Sequence, residues 1–264
     1  MKSANKKSAP KNDKSDTRLY LYGLHAVRAA LANPRRKVHS LLIALPEGHP
    51  RRQRLEQDLA EHPNPPHVSE TARGHLDSLV GEDAVHQGLL AYVKPLPNQD
   101  ARAFLGGFGE ALPPLALLDQ VTDPHNIGAI LRSAAAFGIG ALITPSRNTP
   151  GETGLIARIA SGGLEAVPWL RVKNLGDTCE MLRALGYNLS GLAGEATQEI
   201  SAAAFDLRQP QALVFGAEGE GLRQRTRSLC HQLVKLPTRP PIADLNVSNA
   251  AAISFFALRQ SCPL

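Results

Sequence analysis

The stretch Leu115-Ala116-Leu117-Leu118-Asp119, followed after a polar break by Asp123-Pro124-His125-Asn126-Ile127-Gly128, decides the fold class of this 264-residue chain. A short, uninterrupted apolar run bounded by turn residues reads as a strand buried on both faces, the kind that parallel sheets contain. Pro124 cannot continue a strand ladder and Asn126 is a favoured helix N-cap, so a helix is predicted from about Ile127 to Phe137, ended by Gly138. Downstream the alternation repeats. Strands are predicted at 141–144, near Leu170, and at 188–192, 212–215 and 232–236, with a helix over 151–160 and a last helix over 245–259. Such alternation predicts an α/β fold, a parallel sheet with helices on both faces.

Upstream, Tyr20 to Val27 runs into an Ala-rich helical pattern that ends near Asn33-Pro34. A strand over 38–45, a charged helix over 51–61, a short strand at 67–69, a helix to Val80 and a strand over 87–93 follow, a compact βα unit of two to three strands. Pro95, Pro97, Pro113 and Pro114, with Gly106, Gly107 and Gly109, then give the composition of a loosely attached linker. The expected organisation is a tail over 1–17, a first domain over 18–94, a linker over 95–112 and a second domain over 113–264. The length is sufficient for two cores.

The net charge is +5, but five lysines against Asp13 and Asp16 put three of those charges in the first 17 residues. The body of the chain is only mildly basic, so charge alone does not assign a nucleic-acid partner. The tail lacks the apolar content that would offset ordering entropy and is expected to be disordered, either attracting phosphates or simply solubilising the chain. No apolar stretch follows its lysines and no run of about twenty apolar residues occurs, so neither a secretory signal nor a membrane span is expected. Cys179, Cys230 and Cys262 are odd in number and far apart, which argues against a disulfide framework or zinc site and fits a reducing cytoplasm.

Three segments carry chemistry, each where an apolar strand gives way to a helix, the place where open α/β sheets put their ligand sites. In the first, Asn126 reads equally as a cap, whereas Arg132 interrupts the small run Gly128, Ala129, Ser133, Ala134, Ala135, Ala136. Helical side chains tilt toward the N-terminus, so an arginine about 9 Å further along can reach back toward the Asn126 loop. In the second, Phe215-Gly216-Ala217-Glu218-Gly219-Glu220-Gly221 lets backbone approach a ligand, or is a glycine turn whose Glu218 and Glu220 favour a helix dipole. It has neither a following Gly-Lys-Ser/Thr nor GxGxxG spacing, so neither a triphosphate nor a dinucleotide site is indicated. In the third, Asp244, Asn246, Ser248 and Asn249 exceed what capping one helix needs and favour bonds to a ligand.

Together the three segments resemble motifs one, two and three of the SpoU-type (TrmH-like) RNA 2'-O-methyltransferases, in order and approximate spacing. Tyr22-Gly23-Leu24-His25-Ala26-Val27 and Val85-His86-Gln87-Gly88 are similar to signature stretches of the amino-terminal substrate-binding domain of the bacterial 23S rRNA guanosine-2'-O-methyltransferases. The resemblance runs from about Tyr20 to the end. It implies an L30e-like domain, a flexible linker and a SPOUT-type parallel-sheet domain whose end threads a trefoil knot. A knot is very rare among folds, and no sequence pattern indicates one.

The resemblance further implies S-adenosylmethionine as cofactor, held by Gly216, Leu236, Leu245, Ser248 and Asn249, with no metal. Arg132 matches the arginine given the central catalytic role, sometimes as general base. Because guanidinium groups lose their proton only above about pH 12, binding the adjacent phosphate and stabilising charge on the ribose oxygen is the easier role. Asn126 would orient Arg132 or the ribose, and Glu218 with Asn246 would hold the pocket and the acceptor nucleotide. Asp244 departs from the serine of many relatives, and its role stays open. The partners implied are RNA, with a guanosine of 23S rRNA as expected acceptor, and a second copy of the chain in a homodimer. A tRNA ribose methyltransferase and a catalytically silent RNA-binding assembly factor are the alternatives.

Overall fold

The computed structural model describes residues 18–201, 205, 208–241 and 244–261; the Lys-rich tail, Ile242, Ala243 and Cys262 lie outside them. The first unit contains Leu19–Tyr22 (β1), Leu24–Ala32 (α1), Val38–Ile43 (β2), Pro50–Glu61 (α2), His67–Glu70 (β3), Arg73–Val80 (α3) and Leu89–Val93 (β4). Its sheet has the order β1-β4-β2-β3, with only the β2–β3 pair parallel. One strand more than expected is present, because β1 is too short to show alternation and becomes a strand only by pairing with β4. Leu21, Leu41, Ile43, Leu89, Ala91 and Val93 share one core with Val27 and Leu31 of α1 and Leu55 of α2. On the opposite face α3 sets Leu76 against Tyr22 and Leu90.

The stretch with linker composition contains a helix, Ala101–Gly106 (α4). Asp100 caps it by accepting from the Ala103 amide at 2.9 Å, and Ala101 and Leu105 are buried in the core of the second unit. The prolines, Gly107 and Gly109 flank this short helix, whose last residue is Gly106, and residues four apart share one face.

The second unit then alternates: Leu115–Leu118 (β5), Pro124–Phe137 (α5), Ala141–Pro145 (β6), Gly154–Ala160 (α6), Gly163–Ala166 (α7), Trp169–Val172 (β7), Leu175–Ala184 (α8), Asn188–Leu192 (β8), Gln198–Glu199 (β9), Gln211–Phe215 (β10), Gln224–Leu229 (α9), Gln232–Lys235 (β11) and Val247–Ser261 (α10). Its sheet is parallel throughout, in the order β7-β6-β5-β10-β8-β11-β9. Alternate residues feed two cores: Ala116, Leu118, Leu142, Leu213 and Phe215 pack with residues of α5, α6 and α10, while Leu115, Leu117, Ile143, Ala212 and Val214 pack with α4 and α8. This is the doubly covered sheet that the continuous apolar strands predict.

Helix starts differ in detail from expectation. Asp123, not Asn126, caps α5 by accepting from the His125 amide at 2.9 Å, with Pro124 in the first turn. Thr153 caps α6, accepting from Ile156 at 3.2 Å, so that helix begins three residues later than expected. The last helix begins at Val247, because Asn246 lies outside it and its side-chain oxygen accepts from the Ser248 amide at 2.9 Å.

The two units share a core, and Arg36 joins them. Its buried guanidinium donates to Glu165 at 2.9 Å, to Glu152 at 2.7 Å and to the Lys94 carbonyl at 3.0 Å. Burial opposes the charge on Arg36, but its bonds to Glu165 and Glu152 prevail and hold its pKa above the ordinary arginine value. Glu152 also accepts from the Leu96 amide at 3.0 Å, tying the connecting segment to the second unit.

Candidate active site

Strands β8, β10 and β11 are neighbours, and the loops leaving their carboxyl ends enclose a cleft of about 800 Å³. Its walls are Leu192 to Glu195 after β8, Phe215 to Leu222 after β10, and Val234 to Leu236 with Asp244 to Val247 after β11. The cleft thus lies where parallel strands end, the usual place for ligands in open α/β sheets.

The glycine segment folds into a tight hairpin rather than opening a helix. Ala217 and Gly221 exchange amide–carbonyl bonds of 3.2 and 2.9 Å, with Gly219 and Gly221 at φ of 81° and 66°. A Cβ on Gly216 would stand 2.1 Å from the Gly221 carbonyl carbon, so only glycine permits this closure. The hairpin carries Glu218 away from the α9 dipole and toward the other two segments.

Glu218 Oε1 accepts from Asn126 Nδ2 at 2.9 Å and from Asn246 Nδ2 at 2.6 Å, and Asn246 Nδ2 also donates to Asn126 Oδ1 at 2.9 Å. Asn246 Oδ1 in turn accepts from the Ser248 amide at 2.9 Å and hydroxyl at 2.6 Å. One residue from each motif therefore meets in a single network, and the Asn246 amide is held in one orientation. Among the described residues, Glu218 Oε2 accepts no hydrogen bond.

Of the residues expected at the site, Gly216, Glu218, Leu236, Leu245 and Asn246 line the cleft. Asn126 is buried and joins through Glu218, and Ser248 joins through Asn246. Arg132 and Asn249 do not line the cleft of a single chain. Both are exposed: Arg132 lies on the outward stripe of α5 with His125 and Ala136, and Asn249 on that of α10 with Ile253 and Phe256. Helices α5 and α10 pack together, with the Phe137 and Phe256 rings edge to face at 6.1 Å.

Asp119, at the end of β5, escaped the sequence reading. It is fully buried and accepts from the Arg223 amide at 3.1 Å and from Arg223 Nε at 2.7 Å, fixing the chain where it leaves the hairpin. A carboxylate ending an apolar run looks like a turn residue; its burial is the signal, and sequence alone does not supply it. At the rim Arg227 donates to Glu195, and this bond holds the Glu195 carboxyl below the usual glutamate value. Asp244 also lines the cleft.

The family model described as the SpoU rRNA Methylase family matches residues 114–256, and one described as RNA 2'-O ribose methyltransferase substrate binding matches residues 20–99. The 23S rRNA (guanosine-2'-O-)-methyltransferase RlmB of Pseudomonas putida is 38% identical over 91% of this chain and 96% of its own length. The RlmB of Vibrio vulnificus is 39% identical over 91% and 96%. Among solved structures, the SpoU methyltransferase AviRb from Streptomyces viridochromogenes in complex with AdoMet superposes with a TM-score of 0.74 at 25% identity, covering 92% of this chain and 89% of that one.

Proposed function

Because the chain belongs to the SpoU rRNA methylase family, we infer that it transfers a methyl group from S-adenosylmethionine to the ribose 2'-hydroxyl of a guanosine in 23S rRNA. The observation that carries the inference is the Asn126–Glu218–Asn246 network, which draws all three motifs to the edge of one cleft. That intact network also weighs against a silent assembly factor. Matches spanning the first unit as well as the second favour rRNA over tRNA.

The residues present fit the cofactor. The cleft has the size of a small-molecule site, and its wall at Gly216 is bare backbone where a side chain would collide. Leu192, Leu236 and Leu245 offer apolar surface to a flat base, and the carboxylates of Asp244 and Glu195 suit a cation. When bound, S-adenosylmethionine supplies an activated methyl group on a sulfonium, so the protein's task is alignment and removal of the hydroxyl proton. Asn246, oriented by Ser248 and Glu218, positions the acceptor nucleotide. Glu218 Oε2 is the carboxylate oxygen at hand for the proton, and Arg132 binds the adjacent phosphate and stabilises charge on the ribose oxygen.

Arg132 performs that role across a homodimer. The exposed stripes of α5 and α10 form one face on which Ile253 and Phe256 are large apolar side chains left uncovered, 43% and 51% exposed. A second copy docked on this face by a two-fold axis would bring each Arg132 and Asn249 toward the other chain's cleft. The division of the chain within 95–112, a trefoil knot completed by α10 and a cytoplasmic site of action belong to the same proposal. Comparing 2'-O-methyl maps of 23S rRNA from cells with and without the gene tests the function: one guanosine is expected to lose its mark, and unchanged maps would refute it.

A further inference from the structure

The sheet of the first unit is covered by α3 at one end only. Beyond Tyr22 and Leu90, where Leu76 and the edge of Tyr20 pack, lies a half-buried row: Tyr20 pairs with Tyr92, Tyr92 with Ser40, and Ser40 with His67 across the four strands. A bulge between Val38 and Ser40 gives β2 an extra residue, His39, whose exposed ring stacks on Tyr92 with centroids 4.9 Å apart and planes at 27°. Tyr20 meets Tyr92 on its other side at 5.6 Å. Bulges re-aim side chains, and this one completes a run of three rings on a half-open sheet face. Of the three rings only Tyr20 also packs on the core; Tyr92 and His39 belong to no core cluster.

Cations flank the rings. Arg18 precedes β1, Lys37 precedes β2 and Lys94 follows β4, all exposed at the same end of the sheet, where the Lys94 amide donates to the Lys37 carbonyl at 3.0 Å. Several carboxylates of this unit are committed elsewhere: Asp58 to Arg28, Glu70 and Glu56 to Arg52, and Asp77 to His86.

We propose that Tyr20, Tyr92 and His39 form a stacking platform for unpaired bases of RNA, with Arg18, Lys37 and Lys94 on the flanking phosphates. Rings supply sequence-tolerant stacking and the cations track the backbone, the combination by which single strands are held. The proposal rests on the reading that the protein acts on RNA, and it names a surface outside the methyl-transfer cleft that would hold single-stranded substrate.

The test is fluorescence anisotropy of the full chain with a labelled single-stranded RNA of about twelve nucleotides, within the site sizes such platforms span. Tyr92→Ala and His39→Ala are expected to weaken binding about tenfold each, as loss of one stacked base does, while Tyr92→Phe binds like the parent. Lys37→Glu with Lys94→Glu should weaken it and flatten its salt dependence. S-adenosylmethionine binding, followed by calorimetry, should be unchanged in every variant, which separates this proposal from the cofactor site: a parent protein that binds no S-adenosylmethionine would sink the proposed function and leave the platform standing. Binding by Tyr92→Ala and His39→Ala within about twofold of the parent, or equal weakening in Tyr92→Phe and Tyr92→Ala, would overturn the platform. Should Tyr92→Ala fail to fold by circular dichroism, His39→Ala, on the exposed bulge, decides the matter.

Discussion

Asp119 shows how one buried side chain can govern a cleft it does not line. Its carboxylate holds the Arg223 amide and guanidinium, and those bonds fix where the Gly216–Gly221 hairpin returns toward α9. Asp119→Asn keeps the shape and loses the charge, so roughly 1.5–3 kcal/mol of stability should go, as for hydrogen bonds to charged groups, with weaker S-adenosylmethionine binding; urea titration and calorimetry measure the two effects. The thiols behave differently. Burial, followed by the neighbouring Cys230 and Asp119, pushes Cys179 up to about 12, and burial pushes Cys230 to about 11, both from an ordinary 9.0. Above pH 9 the unfolded chain releases these protons while the folded one retains them, so the unfolded state binds fewer protons and stability falls as pH rises through the window to about 12. Below pH 9 the contribution is complete. The urea midpoint should therefore drop across this alkaline range, and drop less in Cys179→Ala; an identical slope in that variant would contradict the account. Asn126, Glu218 and Asn246 stood out in the sequence because amides and carboxylates cluster beside glycines. Asp119 did not, because its partner lies 104 residues away and leaves no local pattern.

At the scale of elements, α5 shows why small residues surround Arg132. A Cβ on Gly163, at the start of α7, would stand 2.6 Å from the Leu131 carbonyl oxygen and 2.9 Å from the Arg132 amide nitrogen, both rigid backbone atoms. Gly163→Ala should thus cost about 1–3 kcal/mol, as overpacking does, and should lower methylation by shifting Arg132. Gly74→Ala is the contrast: within α3, with nothing within 4 Å of its Cβ, it should be neutral or raise stability by up to about 1 kcal/mol. Thermal melting of both variants checks the pair. The strands of the second unit were legible because 115–118, 141–143 and 212–215 are buried on both faces and read as unbroken apolar runs. Helix α4 was not, since prolines and glycines on either side hide a six-residue helix. Helix starts shifted by two or three residues wherever several cap-forming residues stand close together, as Asp123 and Asn126 do.

For the whole molecule, the clamp around Arg36 makes the two units one body, through pairings 116 and 129 residues apart that no local pattern announces. Arg36→Met would strand Glu152 and Glu165 without a cation, and breaking a buried ion pair this way costs about 3–5 kcal/mol, readable in urea unfolding. A second copy of the chain bears on activity more directly. Arg132 lies on the outward face of α5, while Glu218 lines the cleft of its own chain. If the arginine serves the partner's cleft, Arg132→Ala and Glu218→Ala are each inactive as homodimers, yet a heterodimer of the two has one complete site, formed by the cleft of the first and the arginine of the second. Unfolding and refolding an equimolar mixture should then restore about a quarter of the parent activity, since half the dimers are mixed and each mixed dimer has one working site of two. If Arg132 serves its own chain, no mixed dimer has a complete site and the mixture stays inactive. Methyl transfer from labelled S-adenosylmethionine to 23S rRNA, measured before and after refolding the mixture, distinguishes the two arrangements, and Phe256→Glu, which should leave the chain monomeric in light scattering, is expected to abolish the recovery.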